Sequence, residues 1–323
     1  MRHLIMLYGC VGVLAFGVSS VVDAQARPAQ PQAKKADPKA NQAQPPVSED
    51  DPYAIKPPTE EEIKAAREWA MEFGDKARRI APKLRMVETP HFYLFAAYEN
   101  KAADKLFADT AERMYKELCK QFQVDPNDPV WLDRCPIYAF NRPEQYVAFC
   151  GAIGIDEDRA EKTGGMARYG GDGTVCIILK LTKNTTWFCE VMVHEGTHGF
   201  MARHLTTRRL PTWVNEGIAE YMAATLIKNS WAKTRWLEAT KQALAGKKNP
   251  ASVFDGVQLD DFDYGIAHSL VWYMIRKDSK AFAQFIRLLK LGESEEDALK
   301  KTYKTDRAGL LKAWRAAAAK TVK

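Results

Sequence analysis

The sequence predicts an α+β fold, in which a small mixed sheet with helices is followed by a mainly helical half. Short apolar runs bounded by turn residues lie before residue 184, and this pattern is typical of strands. Beyond residue 184, apolar residues recur at spacings of three and four, which is the period of amphipathic helices. No segment repeats at a fixed period, so we do not expect a solenoid.

Length and composition indicate a globular protein. The chain has 323 residues, 46% of them hydrophobic, and a formal net charge of +6. This length suits one large domain or two small ones. The lysines and arginines are scattered rather than massed, so nothing favours a nucleic-acid partner.

The N-terminus predicts export. Arg2 is followed by an uncharged apolar stretch at residues 4–22, and Ala24-Gln25-Ala26 supplies the small residues of a cleavage site. We therefore interpret residues 1–26 as a signal peptide that sends the protein to the periplasm or the extracellular space. The alternative is a retained segment that tethers the protein to a membrane. No later segment is expected to span a bilayer.

Residues 27–58 are rich in Pro, Gln, Ala and Lys and have almost no large apolar side chains, which predicts a disordered linker. Residues 59–323 then form the folded domain. Its first part, residues 59–183, is expected to be the α/β part, and residues 184–323 the helical part.

Within the α/β part, acidic residues at 60–62 favour the start of a helix that runs to residue 80. The same part predicts a strand at 86–96, a helix at 102–122, a strand at 135–140, a short helix at 143–150 and a strand at 174–179. Paired glycines at 164–165 and 170–171 favour a hairpin or a lid. We expect the 174–179 strand to be a sheet edge, where an extended peptide can add as a further strand.

The helical part ends with predicted helices at 281–291, 294–303 and 308–319. Five cysteines follow the signal peptide, and this odd number leaves at least one thiol outside any intrachain disulfide. Most of them are expected to be small buried apolar residues, and the sequence leaves any disulfide pairing open.

His194, Glu195 and His198 form the pattern His-Glu-x-x-His. On a helix, residues four apart lie on the same face, so the two imidazoles can bind one metal ion. Glu195 lies about 100° around the helix, where it can reach a water molecule at the metal and act as a general base. The alternative interpretation is a pair of core histidines that hydrogen-bond to the backbone.

A catalytic zinc site usually has three protein ligands, so a third is needed. His204 has suitable spacing only if the chain leaves the helix after His198. Met201 stands where a glycine would allow this, so we expect the helix to continue and His204 to point away from His198. Glu216 and Glu220 share one face of a largely apolar second helix. We favour Glu216 as the ligand, with Glu220 orienting a metal-bound histidine.

The combined pattern is His194-Glu195-x-x-His198 followed by Trp213-x-x-Glu216-Gly217-x-Ala219-Glu220. It resembles the gluzincins, the thermolysin- and aminopeptidase-like zinc peptidases of the peptidase MA clan, and most closely the exported peptidase-MA-like domains. The resemblance implies a thermolysin-like catalytic core with one Zn²⁺ on His194, His198 and Glu216, and with Glu195 as the base. The Gly-Ala-Met-Glu-Asn signature of the large aminopeptidases is missing, so recognition of a substrate N-terminus is not implied.

A further hydrogen-bond donor is needed for the developing oxyanion, and Tyr264 or His268 could supply it. Gluzincins commonly use a downstream Tyr or His, and we prefer Tyr264. The expected function is an exported zinc metallopeptidase that acts on peptide or protein substrates. The alternative is a catalytically silent, peptidase-like binding or envelope-associated protein. Cleavage specificity, the choice between endo- and exopeptidase action, and the oligomeric state remain open.

Overall fold

The computed structural model describes Ser48 and residues 50–97, 101–128, 130–170, 172–256 and 258–322. The strands are β1 (Arg85–Glu88), β2 (Phe92–Ala96), β3 (Cys135–Phe140), β4 (Gly165–Tyr169) and β5 (Val175–Lys180). The helices are α1 (Glu60–Ile80), α2 (Lys101–Phe122), α3 (Pro143–Ala152), α4 (Glu157–Glu161), α5 (Thr185–Arg203), α6 (Thr212–Leu226), α7 (Trp231–Leu244), α8 (Asp261–Lys277), α9 (Ser279–Lys290), α10 (Glu295–Tyr303) and α11 (Arg307–Thr321), with a 3-10 turn at Pro250–Phe254. The expected α+β fold, a small mixed sheet followed by a mostly helical remainder, is confirmed.

The sheet has five strands in the order β1-β2-β3-β5-β4. The three central strands are parallel, and β1 and β4 pair antiparallel at the two edges. All six residues of β3 are buried, as a parallel strand covered on both faces requires. Alternate residues separate two cores: Tyr138 and Phe140 face α1 and α3, while Ile137 and Ala139 face α2 and α5.

Two expectations for the sheet were wrong. Residues 86–96 do not form one strand, because Thr89 and Pro90 lie in the turn between β1 and β2. The strand predicted at 174–179 is not an edge, since β5 lies between β3 and β4. The edge is instead β4, the first strand of a hairpin with β5, so of the two interpretations of the paired glycines the hairpin is the one observed.

The helix α5 links the two halves of the fold. It packs against β4 and β5 on one side and against α2 and α6 on others. In the helical half, α6 packs closely on α8, and α7 also packs on α8. The residues that carry the predicted site therefore lie between the sheet and the helical half.

The connection from α5 to α6 is held by a distant helix. Lys290 of α9 is buried, and its Nζ donates to the carbonyl oxygens of Met201 (2.8 Å) and Arg208 (2.7 Å). The Thr206 hydroxyl donates to the Lys290 carbonyl at 2.5 Å. Leu205 adopts a left-handed φ of 66°, which ends α5 and turns the chain toward α6.

The predicted signal peptide, residues 1–26, and most of the predicted linker lie outside the described residues. The end of that linker differs from the expectation of disorder, because it pairs with the α5–α6 connection. Ile55 N donates to Leu205 O at 3.1 Å, Thr207 N donates to Tyr53 O at 2.9 Å, and an Arg208 nitrogen lies 2.6 Å from an Asp51 carboxylate oxygen. Hydrogen bonds and an ion pair hold this segment although it has few apolar side chains.

All five cysteines in the described residues are buried and carry free thiols, as expected for small core side chains. Within the same part of the chain, every helix falls short of the length or apolar character that a bilayer crossing requires.

Candidate metal centre

The helix α5 presents two imidazoles on one face. Asn184 begins the helix, its side chain accepting from the Trp187 amide at 3.1 Å. His194 and His198 follow one turn apart, and their Nε2 atoms lie 3.0 Å from each other. His198 is buried and His194 nearly so, so both rings are held away from bulk solvent.

The third donor comes from α6, which begins after Pro211. Glu216 lies in its second turn, and its Oε2 atom is 3.3 Å from the Nε2 atoms of both histidines. The structure therefore brings together His194, His198 and Glu216, each with one donor atom within 4.8 Å of the others.

This donor set fits a zinc ion. In tetrahedral coordination with bonds of about 2.0–2.1 Å, donor atoms are separated by about 3.3 Å, close to the 3.0 and 3.3 Å separations here. The Glu216 Oε2 atom is buried and, among the described residues, has no hydrogen-bond partner of acceptable geometry. A buried carboxylate oxygen without a donor is costly, and a cation between it and the rings would remove that cost.

Glu220 contacts His194 at Nδ1, the ring nitrogen that faces away from the donor group. Its Oε1 lies 3.2 Å from His194 Nδ1, and Arg235 of α7 donates to both of its oxygens, from Nη2 at 2.9 Å and from Nε to Oε2 at 3.2 Å. Glu220 is only 2% exposed, so this carboxylate is a buried charge with two partners. The arrangement keeps a proton on His194 Nδ1 and directs the Nε2 atom toward Glu216 and His198.

Asn215 has the corresponding position beside His198. The Asn215 Nδ2 atom lies 2.9 Å from His198 Nδ1. A half-turn of the amide group exchanges its nitrogen and oxygen; His198 then donates from Nδ1 to the Asn215 oxygen and keeps Nε2 free to bind a metal. Asn215 was missed from the sequence, although its position directly before Glu216 was a usable signal.

The charges of this cluster depend on one another. Burial by itself lowers the pKa of His194, but its contacts with Glu216 and Glu220 outweigh burial and raise that pKa well above its usual value. Burial raises the pKa of the Glu216 carboxyl, and the contacts with His194 and His198 reverse this and hold it far below its usual range. Glu216 is therefore ionised, as a metal ligand must be.

Glu195 lies beside the donor group but is not part of it. Its Oε2 accepts a hydrogen bond from the backbone amide of Ala167 in β4 at 2.8 Å. At the two ends of the β4–β5 pair, Gly170 N donates to Thr174 O and Lys180 N donates to Gly164 O. The backbone N–H and C=O groups of the even-numbered β4 residues therefore point toward β5, and those of the odd-numbered residues point away from it. The Ala167 amide thus points outward from the sheet edge, toward Glu195 of α5.

The two candidates for the oxyanion donor lie in different surroundings. The Tyr264 ring centroid is 6.4 Å from that of His194, and Tyr264 lines a pocket of about 300 Å³ together with Glu195. His268 is 2% exposed and stacks on Trp236, with ring centroids 5.5 Å apart. Burial lowers the pKa of His268 to about 4. Of the two, Tyr264 is the residue near the site.

His204 is not near the donor group. The helix ends at Arg203, contrary to the expectation that it continues, and the His204 ring packs against Phe122 and Phe200 with centroids 5.4 and 5.9 Å away. Burial lowers its pKa to about 3. His204 is therefore a core residue, and the preference for Glu216 over His204 agrees with this placement.

Two pockets flank the donor group. The one of about 300 Å³ contains His194, Glu195 and Tyr264. A larger one of about 700 Å³ contains His198, Asn215 and Glu216. Residues of β4 line both, since Gly165 borders the smaller pocket and Met166 to Gly170 border the larger. A substrate lying along β4 can therefore extend to both sides of the metal centre.

Comparison with known proteins identifies the family of this chain. The family model described as the peptidase MA superfamily matches residues 115–320, which is more than half of the chain. The match includes both α5 and α6 and all of the donor residues. None of the curated proteins matches the chain. On the family match, the chain belongs to the peptidase MA superfamily.

Proposed function

We propose that this protein is a zinc-dependent metallopeptidase that hydrolyses peptide bonds, with one Zn²⁺ held by His194, His198 and Glu216. The observation that carries this proposal is the closed triangle of donor atoms, 3.0 to 3.3 Å apart, with Glu195 beside it. Glu220 and Asn215 support it further, because they hold the two rings in the orientation that metal binding needs.

When bound, zinc would lower the pKa of a water molecule toward neutrality and polarise the carbonyl group of the substrate. Glu195 is the general base in this proposal, taking the proton from the attacking water and delivering it to the leaving amine. The Ala167 amide holds the Glu195 carboxylate at the sheet edge, so its orientation is fixed before substrate binds. The Tyr264 hydroxyl group would donate a hydrogen bond to the developing oxyanion.

The edge strand β4 favours a peptide as substrate. No described strand pairs with its outer side, where the Ala167 amide donates to Glu195, and an extended peptide can pair with such an edge by strand addition. Export to the periplasm or the extracellular space also belongs to this proposal. It depends on residues 1–26, and a retained segment would instead tether the protein to a membrane.

The proposal is tested by zinc content and by hydrolysis of a fluorogenic peptide library. Purified wild type should contain about one zinc per chain, and a chelator should abolish cleavage. Glu216→Ala should lose most of the metal, because two imidazoles from one helix leave the coordination incomplete. The exposed Glu238 on α7 provides the control variant Glu238→Ala, which should retain zinc and activity.

Glu195→Gln separates catalysis from binding. This variant should keep its zinc and lose cleavage, since Glu195 is not among the three donor residues. Unchanged cleavage in Glu195→Gln would refute the mechanism. Stoichiometric zinc without cleavage of any peptide by wild type would instead favour the peptidase-like binding protein.

A further inference from the structure

The pocket beside His198 is strongly basic. The arginines that line it are Arg159, Arg168, Arg203, Arg208 and Arg209. Among the described lining residues the single carboxylate is that of Glu216, which the proposed function assigns to the metal. The lining of this pocket therefore carries an excess of positive charge beside the donor group.

Arg203 is a fixed charge at the base of this pocket. It lies five residues after His198 on α5 and is 9% exposed. Its Nε donates to Val130 O at 3.0 Å and its Nη1 donates to Gly173 O at 3.1 Å. Among the described residues its guanidinium group forms no ion pair, and the carboxylates of Glu62 and Asp172 act on it only from a greater distance.

Arg159 and Arg209 are exposed, and neither forms an ion pair with a described residue. Burial raises the pKa of Tyr169, and the charges of Arg209 and Arg159 act against that rise, so both guanidinium groups act at the same part of β4. The remaining two arginines, Arg208 and Arg168, contribute less to the positive charge of the pocket. Arg208 is paired with Asp51 at 2.6 Å, and Arg168 lies over the Phe73 ring at 5.7 Å.

The smaller pocket has the opposite charge. Its ionisable lining residues are Glu190, Glu195, Glu220, Asp261, His194 and Arg235. The one arginine is already bonded to Glu220. The charge of the cleft thus changes sign across the metal centre, from acidic beside Glu195 to basic beside His198.

We propose that the pocket beside His198 selects substrates with a carboxylate group at that side of the scissile bond; this inference rests on the proposed peptidase function. Guanidinium groups bind carboxylates through paired, charge-assisted hydrogen bonds. With a peptide paired antiparallel to β4, this carboxylate is that of an acidic side chain. The C-terminal carboxylate of a peptide reaches this pocket only if the peptide runs parallel to β4. Antiparallel pairing with β4 places residues N-terminal to the scissile bond in this pocket, because β4 runs from Gly165 at the smaller pocket toward Tyr169 at the larger one.

The test compares otherwise identical peptides with Glu or Gln at single positions on each side of the cleaved bond, each made with a free and an amidated C-terminus. Wild-type kcat/KM should be about fivefold or more higher for Glu than for Gln on one side only. The double variant Arg159→Gln/Arg209→Gln should reduce this ratio toward one. The matched control is Arg79→Gln, which removes an exposed charge from α1 and should keep the ratio.

The peptide ends distinguish the two sources of the carboxylate. A preference that persists in amidated peptides assigns it to the side chain, and one that requires the free acid assigns it to the C-terminus. Raising the salt concentration should also reduce the ratio, because screening weakens exposed charge pairs. A ratio near one in wild type, or a preference unchanged in the double variant, would overturn the proposal.

Binding of the same peptides to zinc-loaded Glu195→Gln, measured by fluorescence anisotropy, tests the charge preference without turnover. If wild type cleaves all peptides equally and Glu195→Gln binds them equally, the charge inference fails and the peptidase function stands. If no peptide is cleaved but Glu195→Gln binds the acidic peptides more tightly, the peptidase function fails and the charge preference stands.

Discussion

The Nδ1 atom of His194 lies 3.2 Å from the Oε1 atom of Glu220. An ionised carboxylate only accepts hydrogen bonds, so this contact keeps the imidazole proton on Nδ1. The Nε2 atom, which is the nitrogen left for a metal, faces Glu216 at 3.3 Å. Arg235 holds Glu220 from its other side. One buried chain of contacts therefore runs from α7 through α6 to α5 and sets the orientation of His194 in the proposed zinc site.

We expect Glu220→Gln to weaken zinc binding by about 10- to 100-fold, the usual effect of removing the partner of a metal-bound histidine. The neutral amide is a poorer acceptor for His194 and leaves Arg235 without its carboxylate. Competition with a chromophoric chelator measures the zinc Kd. Glu238→Gln, on the exposed face of α7, is the control. An unchanged Kd in Glu220→Gln would show that the contact does not orient the ring.

We expect Tyr264→Phe to lower kcat by about 10²- to 10³-fold with little change in KM, as for the loss of one oxyanion donor. Tyr264 lines the pocket that contains Glu195, and the variant keeps its ring, so Tm should change little. His268→Leu is the comparison, because His268 is buried against Trp236. The His268→Leu variant should have a lower Tm than wild type, and its folded fraction should keep the wild-type kcat. A normal kcat in Tyr264→Phe would exclude the assigned role.

Local spacing predicted that His194 and His198 share one helix face, and that Glu216 and Glu220 share a face of the next helix. The partners of the histidines were harder to predict. Arg235 lies on another helix, and its approach to Glu220 depends on how α6 and α7 both pack on α8. The contact between Glu195 and Ala167 depends on sheet order, which was misjudged when β5 was expected at the edge.

The strand β4 shows why the sheet edge could not be predicted from its sequence. Gly165, Arg168 and Tyr169 give it neither a continuous apolar run nor a clear alternation, and only its first two residues are buried. Edge strands are often short and polar, since this discourages unwanted pairing. By contrast, β3 was predicted with its observed bounds, because a parallel strand covered on both faces is apolar throughout.

We expect Gly217→Ala to destabilise the fold by about 1–3 kcal/mol and to weaken zinc binding. A Cβ atom at this position would lie 2.6 Å from the backbone carbonyl oxygen of Ala267 in α8, so α6 would have to move and would shift Glu216 with it. Thermal unfolding and zinc titration measure the two effects.

The matched control for this prediction is Gly196→Ala in α5. Its Cβ atom would meet the Sδ and Cε atoms of Met114, both 2.4 Å away, but these belong to the flexible end of a side chain that can turn aside. This variant should be destabilised less than Gly217→Ala. An equal loss of stability in both variants would contradict the importance assigned to the backbone contact between α6 and α8.

Zinc binding should release about one proton per chain at pH 7.5. In the metal-free protein, contacts with Glu216 and Glu220 outweigh burial and raise the pKa of His194 well above its usual value of about 6.5, so the ring carries a proton at this pH. Zinc needs the unprotonated nitrogen and expels that proton. The apparent zinc affinity should therefore fall about tenfold for each pH unit below the raised pKa.

Calorimetric titration in two buffers with different ionisation enthalpies counts the released protons. Glu220→Gln provides the comparison, because it removes one of the two carboxylates that raise the His194 pKa and should release fewer protons at the same pH. The contrary result, for each protein, is a binding heat that is the same in both buffers and a zinc affinity that does not change with pH between about 6 and 8. That result would mean that His194 is neutral before zinc binds. The contacts with Glu216 and Glu220 would then orient the ring without raising its pKa.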